Sequence, residues 1–139
     1  MIHISEADYF AGYKDDPTIN SGHRDNARLL LIRVNALLDA AVEDGVDLVM
    51  NPHTNTLVSG SGNGGWRPQT CPIGAPLSAH KLGRAVDVQD ARDDLDAWLT
   101  GNDQILEDFM LYREAPHSTL GWVHLSDRAP PSGKHTFEA

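Results

Sequence analysis

This chain carries a single cysteine, Cys71, within Thr70-Cys71-Pro72. One cysteine excludes both an intramolecular disulfide and a thiolate metal cluster. No nucleophile pattern surrounds it, so it reads as a small buried or loop residue. Positive charge is also scarce: 11 Lys and Arg face 20 Asp and Glu, for a net charge of -9. Phosphate backbones and anionic lipid select basic faces, so no nucleic acid is expected as the main partner. Long hydrophobic runs are missing, and a membrane span would need roughly 20 apolar residues. Met1-Ile2-His3-Ile4-Ser5-Glu6 has neither the basic n-region nor the apolar h-region of a secretory signal. The expectation is synthesis in a cytoplasm without a signal peptide, with any action outside requiring another exporter or lysis. Aromatic residues make up only 6%, but the hydrophobic fraction is an ordinary 40%. A chain of this length can bury a real core, and one domain over residues 1–139 is expected.

The clearest element is a helix from about Ser21 to Asp44. Ala27, Leu30, Leu31, Val34, Leu37, Leu38 and Ala41 recur at spacings of three and four, which makes one apolar stripe. Asn20 or Ser21 can cap its start and Gly45 can end it. Arg24, Arg28 and Arg33 read as surface charges on this scaffold helix. A short helix over Glu6 to Tyr13 precedes it, broken by Pro17. Val46–Met50 and Thr56–Ser59 are β-prone. Gly60 to Pro76 is rich in Gly, Pro, Ser and Asn, and reads as an irregular loop that contacts a substrate. Strands are expected at Arg84–Gln89, Met110–Glu114 and Trp122–Ser126, with an edge strand at Lys134–Phe137. Helical turns are expected at Asp93–Leu99 and Ile105–Phe109. Helices first and short strands later predict an α+β fold with an antiparallel sheet.

Two stretches carry chemistry. The first is Ser78-Ala79-His80-Lys81-Leu82-Gly83-Arg84-Ala85-Val86-Asp87, and the second is Gly121-Trp122-Val123-His124-Leu125. Strand alternation puts Asp87 with Ala85 and Gln89 on one face, and His124 with Trp122 on the face opposite Val123 and Leu125. Small residues around His80 and Asp87 leave room beside a metal. Two imidazoles and one carboxylate are a ligand set for an open Zn²⁺ site. Taken singly, each of these residues also fits a surface histidine or a strand-end carboxylate.

The segment Ser78–Asp87 resembles the SxHxxGxAxD motif of the zinc D-Ala-D-Ala carboxypeptidase family. Trp122-Val123-His124 is similar to that family's downstream WxH element. The resemblance spans roughly Ser59 to Phe137. It implies one Zn²⁺ held by His80, Asp87 and His124. It also implies helices packed on a small antiparallel sheet, a fold shared with the hedgehog signalling domain. Arg67, in Gly65-Trp66-Arg67-Pro68, is similar to the family's substrate-binding arginine, whose guanidinium suits a terminal carboxylate. Ser78 either binds substrate or organises the turn before His80.

The match departs from the family at Gly121, where many relatives carry Glu or Asp three residues before the last histidine. A zinc hydrolase needs a group that moves the water's proton to the leaving amine. Glu114 is the first candidate for this base. His117 is the second, as base or oxyanion stabiliser, and Asp127 is a more distant one. The resemblance implies a zinc metallopeptidase that cuts the peptidoglycan stem peptide, as a carboxypeptidase or an endopeptidase, of phage or host origin. The alternative is a zinc-bearing binding or structural module without turnover, phage-associated in the structural case.

Overall fold

The computed structural model describes residues 2–138. Helix α1 (Glu6–Phe10) starts on a reciprocal cap: Asp8 N–H donates to Ser5 Oγ and Ser5 N–H to the Asp8 carboxylate, both at 3.0 Å. It ends earlier than expected, and Ala11–Tyr13 tightens into a 3-10 turn. Helix α2 (Ser21–Glu43) is capped by Asn20 and buries the seven residues of the predicted stripe. Each of its leucines or valines removed from water stabilises the fold by roughly 1.5–3 kcal/mol. Asn35 of α2 ties down the entry to α1, donating to Ile4 O at 2.9 Å and accepting from Ile4 N–H at 2.8 Å. Arg24 and Arg28 are exposed, with Arg24 over the Phe10 ring, while Arg33 is half-buried.

Strands β1 (Ala85–Gln89), β2 (Tyr112–Glu114), β3 (Trp122–Ser126) and β4 (Thr136–Phe137) form a sheet in the order β1-β3-β2-β4. Helices α3 (Asp94–Thr100) and α4 (Gln104–Asp108) lie between β1 and β2 in the chain. Val86, Val88, Val123 and Leu125 join α1 and α2 in the core, so the other face of β1 and β3 is left for polar side chains. The α+β expectation holds, with one correction to the sheet. β3 is antiparallel to β1 and β2, but β4 runs parallel to β2. The chain leaves β3 at Ser126, beside Tyr112 where β2 begins, and so enters β4 from the same end as β2.

A second correction concerns the β-prone runs at 46–50 and 56–59. The first forms neither strand nor bridge, and the second forms only isolated bridges, Thr56 with Asn51 and Val58 with Val88. The Asn51 amide donates to Val58 O and Gly60 O, and Thr54 Oγ1 and Thr56 Oγ1 take the N–H groups of Thr56 and Val58. Side chains thus satisfy backbone groups that a ladder would otherwise pair.

Candidate metal centre

His80, Asp87 and His124 come together from three places in the sequence. His80 sits on a 3-10 turn, Ala79–Leu82, closed by Gly83 at φ +78°. A Cβ on Gly83 would lie 2.7 Å from His23 O, so the turn can press against α2 only with glycine there. Asp87 and His124 are register partners on β1 and β3. The three residues offer ligand atoms within 4.8 Å of one another and could hold a metal ion.

The geometry fits that ion closely. Asp87 Oδ1 lies 3.2 Å from His80 Nε2 and 3.0 Å from His124 Nδ1. Ligand atoms about 2.0–2.1 Å from a small tetrahedral cation stand about 3.3–3.4 Å apart. His80 Nδ1 is 2.8 Å from Gly65 O and donates to it. With Nδ1 donating to Gly65 O, Nε2 faces the Asp87 carboxylate, where either a proton on Nε2 or a metal ion between the two satisfies the pair. The Asp87 carboxyl is pushed up by burial, but the imidazoles of His80 and His124 more than offset this and hold it at about 2.

Backbone groups of the 60–76 loop build the cradle. Gly64 O accepts Asp87 N–H at 2.7 Å, and Gly65 O takes the His80 ring. Trp66 anchors this segment: its ring is buried against Phe10, Tyr13 and His23, and its backbone N–H donates to Tyr9 O. The first half of the loop is therefore packed rather than loose. Ile73, Gly74 and Ala75 of its second half, with Leu77 and Ser78 beyond it, line a cleft of about 1310 Å³ together with His80, Asp87 and His124.

The other predicted site residues fall as follows. Arg67 is buried along this cleft; Nε donates to Asn63 O at 2.7 Å, and Nη2 lies 3.4 Å from Asp87 Oδ2. It therefore touches the ligand carboxylate as well as the cleft. Ser78 lines the same cleft. Glu114, which follows Arg113 where β2 pairs with Leu125 of β3, lines it too. His117 is not among the lining residues. It is exposed on the turn Pro116–Ser118, and its Nε2 is 2.7 Å from Glu138 Oε2. Asp127 is bound by Arg84 at 2.9 Å and also lies outside the lining. Gly121 is tied by both backbone groups, its N–H to Asp93 Oδ1 and its carbonyl to Asp90 N–H.

Sequence reasoning missed Phe137, whose ring meets His124 edge-on at 6.1 Å, and Glu138 and Arg128, which both line the cleft. No local pattern marks them. The Gly64-Gly65 pair was a readable signal of close backbone approach.

A second acidic group, Asp90, Asp93 and Asp96, is held by the fold itself. Asp90 accepts the N–H groups of Leu95 and Asp96, and Asp96 pairs with buried Arg113 at 3.0 Å. Comparison of the chain with protein-family models, curated proteins and solved structures finds no match.

Proposed function

We propose that this protein is a zinc-dependent peptidase that hydrolyses a peptide bond in the peptidoglycan stem peptide. The observation that carries the reading is the group His80, Asp87 and His124 on a cleft that the Glu114 carboxylate also lines. The motif resemblance of Ser78–Asp87 and Trp122–His124 supports the same chemistry. An N,N,O donor set suits zinc among the available divalent ions. When bound, zinc supplies a Lewis acid for the scissile carbonyl and acidifies water near neutral pH.

The chain's own groups do the rest. Glu114 takes a proton from the attacking water and returns it to the leaving nitrogen as the C–N bond breaks, so one water yields one carboxylic acid and one amine. Arg67 fixes Asp87 and offers its remaining N–H groups to a substrate carboxylate. Gly65 O fixes the tautomer and tilt of His80. Purified protein incubated with defined muropeptides, with and without a chelator, tests the reading. Chelator-sensitive release of an amino acid or peptide fragment is expected, and intact muropeptides in the presence of zinc would refute it.

A second reading, a zinc-bearing binding or structural module, draws on two observations. Gly121 presents no acid, and Arg67 already faces Asp87. Tight muropeptide binding without turnover would favour the binding module.

A further inference from the structure

The cleft has two walls beyond the ligands. One is the exposed segment Ile73 to Leu77, and the other runs from Ser126 through Arg128 to Ser132. They are joined at one point, where Arg128 Nη1 donates to Leu77 O at 2.7 Å. The Arg128 side is firmly based: its N–H donates to Ser126 Oγ, and Arg84 binds both the carboxylate and the carbonyl of the preceding Asp127. Pro130 and Pro131 stiffen the continuation. The Leu77 side is an exposed turn in which Ser78 N–H reaches Ala75 O.

The position of this bridge gives it meaning. Ser126, two residues beyond His124 on the same strand face, ends β3, and Arg128 follows it by two residues and lines the same cleft. Leu77 directly precedes Ser78. A Cβ on Gly74 would lie 3.1 Å from Arg67 Nη1 and 3.4 Å from Ser78 Oγ, so these two polar groups border one niche. That niche suits a carboxylate, and Leu77, which Arg128 holds, is the neighbour of Ser78 in the chain.

We infer that Arg128 is a specificity-determining residue: its bond to Leu77 O closes the cleft past the Arg67–Ser78 niche and restricts cleavage to a peptide whose free carboxylate follows the scissile bond by one residue. This rests on the stem-peptide reading above and selects its carboxypeptidase form. Each further residue adds about 3.3–3.6 Å of extended chain, which would have to displace the Arg128 side chain. Arg128 touches no ligand residue in the structure and acts through the wall it holds.

The test compares two peptides, one ending in D-Ala-D-Ala and the same peptide extended by Gly-Gly. Both kcat/KM for the D-Ala–D-Ala bond and Kd on the zinc-loaded protein are measured for wild type, Arg128→Ala and Arg128→Lys. The loss of one hydrogen bond predicts that Arg128→Ala lowers the preference for the short peptide about three- to tenfold. Arg128→Lys, which keeps a donor, should retain most of that preference. Melting curves and zinc content confirm that the variants are folded. A short-to-long ratio unchanged in Arg128→Ala, in kcat/KM or in Kd, overturns the inference. Equal cleavage of an internal bond in both peptides by wild type also overturns it. Absence of all cleavage refutes the peptidase reading, and the Kd ratio still decides the role of Arg128.

Discussion

Gly65→Ala is the sharpest perturbation the structure offers, because it acts on His80, a candidate metal ligand, without touching it. A Cβ at Gly65 would lie 1.9 Å from Tyr9 O and 2.9 Å from Tyr9 C. Both are backbone atoms, and Tyr9 is buried on α1, so no flexible side chain can give way. Restoring ordinary contact demands a shift of about 1.3 Å or more, since carbon and oxygen rarely approach within about 3.2 Å. The Gly65 carbonyl moves with it, and that carbonyl holds His80 Nδ1 at 2.8 Å. Losing the partner that orients a ligating histidine typically costs 10–100-fold in metal affinity, about 1.4–2.7 kcal/mol. The assay is competition for zinc against a chromophoric chelator, read beside a thermal melt. Gly101→Ala is the control, because the nearest atoms to its Cβ are at 3.7 Å and its φ is an ordinary -79°. Weakened zinc binding in Gly65→Ala with an unchanged Gly101→Ala is expected. Wild-type zinc affinity in a folded Gly65→Ala would show that the Gly65 carbonyl does not govern His80.

The remaining predictions concern the site and one buried acid. The protein should bind one zinc per chain, and elemental analysis of His80→Ala and His124→Ala should show it lost; full zinc in both would remove the assignment. Glu114→Gln should keep its metal and lose about two to four orders of magnitude in kcat, with His117→Ala much milder because that imidazole is exposed and paired with Glu138. The reverse pattern in steady-state kinetics would move the base to His117. Arg67→Ala should lose about 1.5–3 kcal/mol of charge-assisted bonding, seen as a 10- to 150-fold lower kcat/KM, and should weaken zinc binding through Asp87. Asp96 is pushed up to about 6 by burial, with Asp90 and Asp93 adding to it and Arg113 opposing. The folded chain then holds a proton that the unfolded chain releases near 4, so this group's contribution to stability falls as pH rises from about 4 through about 6, then stays flat. Carbon-detected NMR titration of the Asp96 carboxyl should give a midpoint near 6, and a midpoint below 4 would contradict this.

Much of this molecule is legible along the chain. The i, i+3, i+4 stripe of α2 needs only local periodicity, and its seven residues are the ones buried. Alternation in 85–89 and 122–126 already separates core valines from the face that carries Asp87 and His124. The β-prone run 56–59 makes only isolated bridges because Asn51 and the threonine hydroxyls take backbone groups of Thr56 and Val58.

The strand faces that carry Asp87 and His124 and the scaffold helix were thus set by the sequence alone, since neighbouring residues decide helical faces and strand alternation. Pairing between distant strands is another matter. Register is chosen by which side chains bury together across the sheet, and a slip of one residue would turn Glu114 away from the cleft. Only the tertiary structure decided that Glu114 lines the cleft of His80, Asp87 and His124, that β4 enters parallel and brings Phe137 to His124, and that Gly65 lends its carbonyl to His80. None of these leaves a local trace, because each is a contact between segments whose own sequences are indifferent to it.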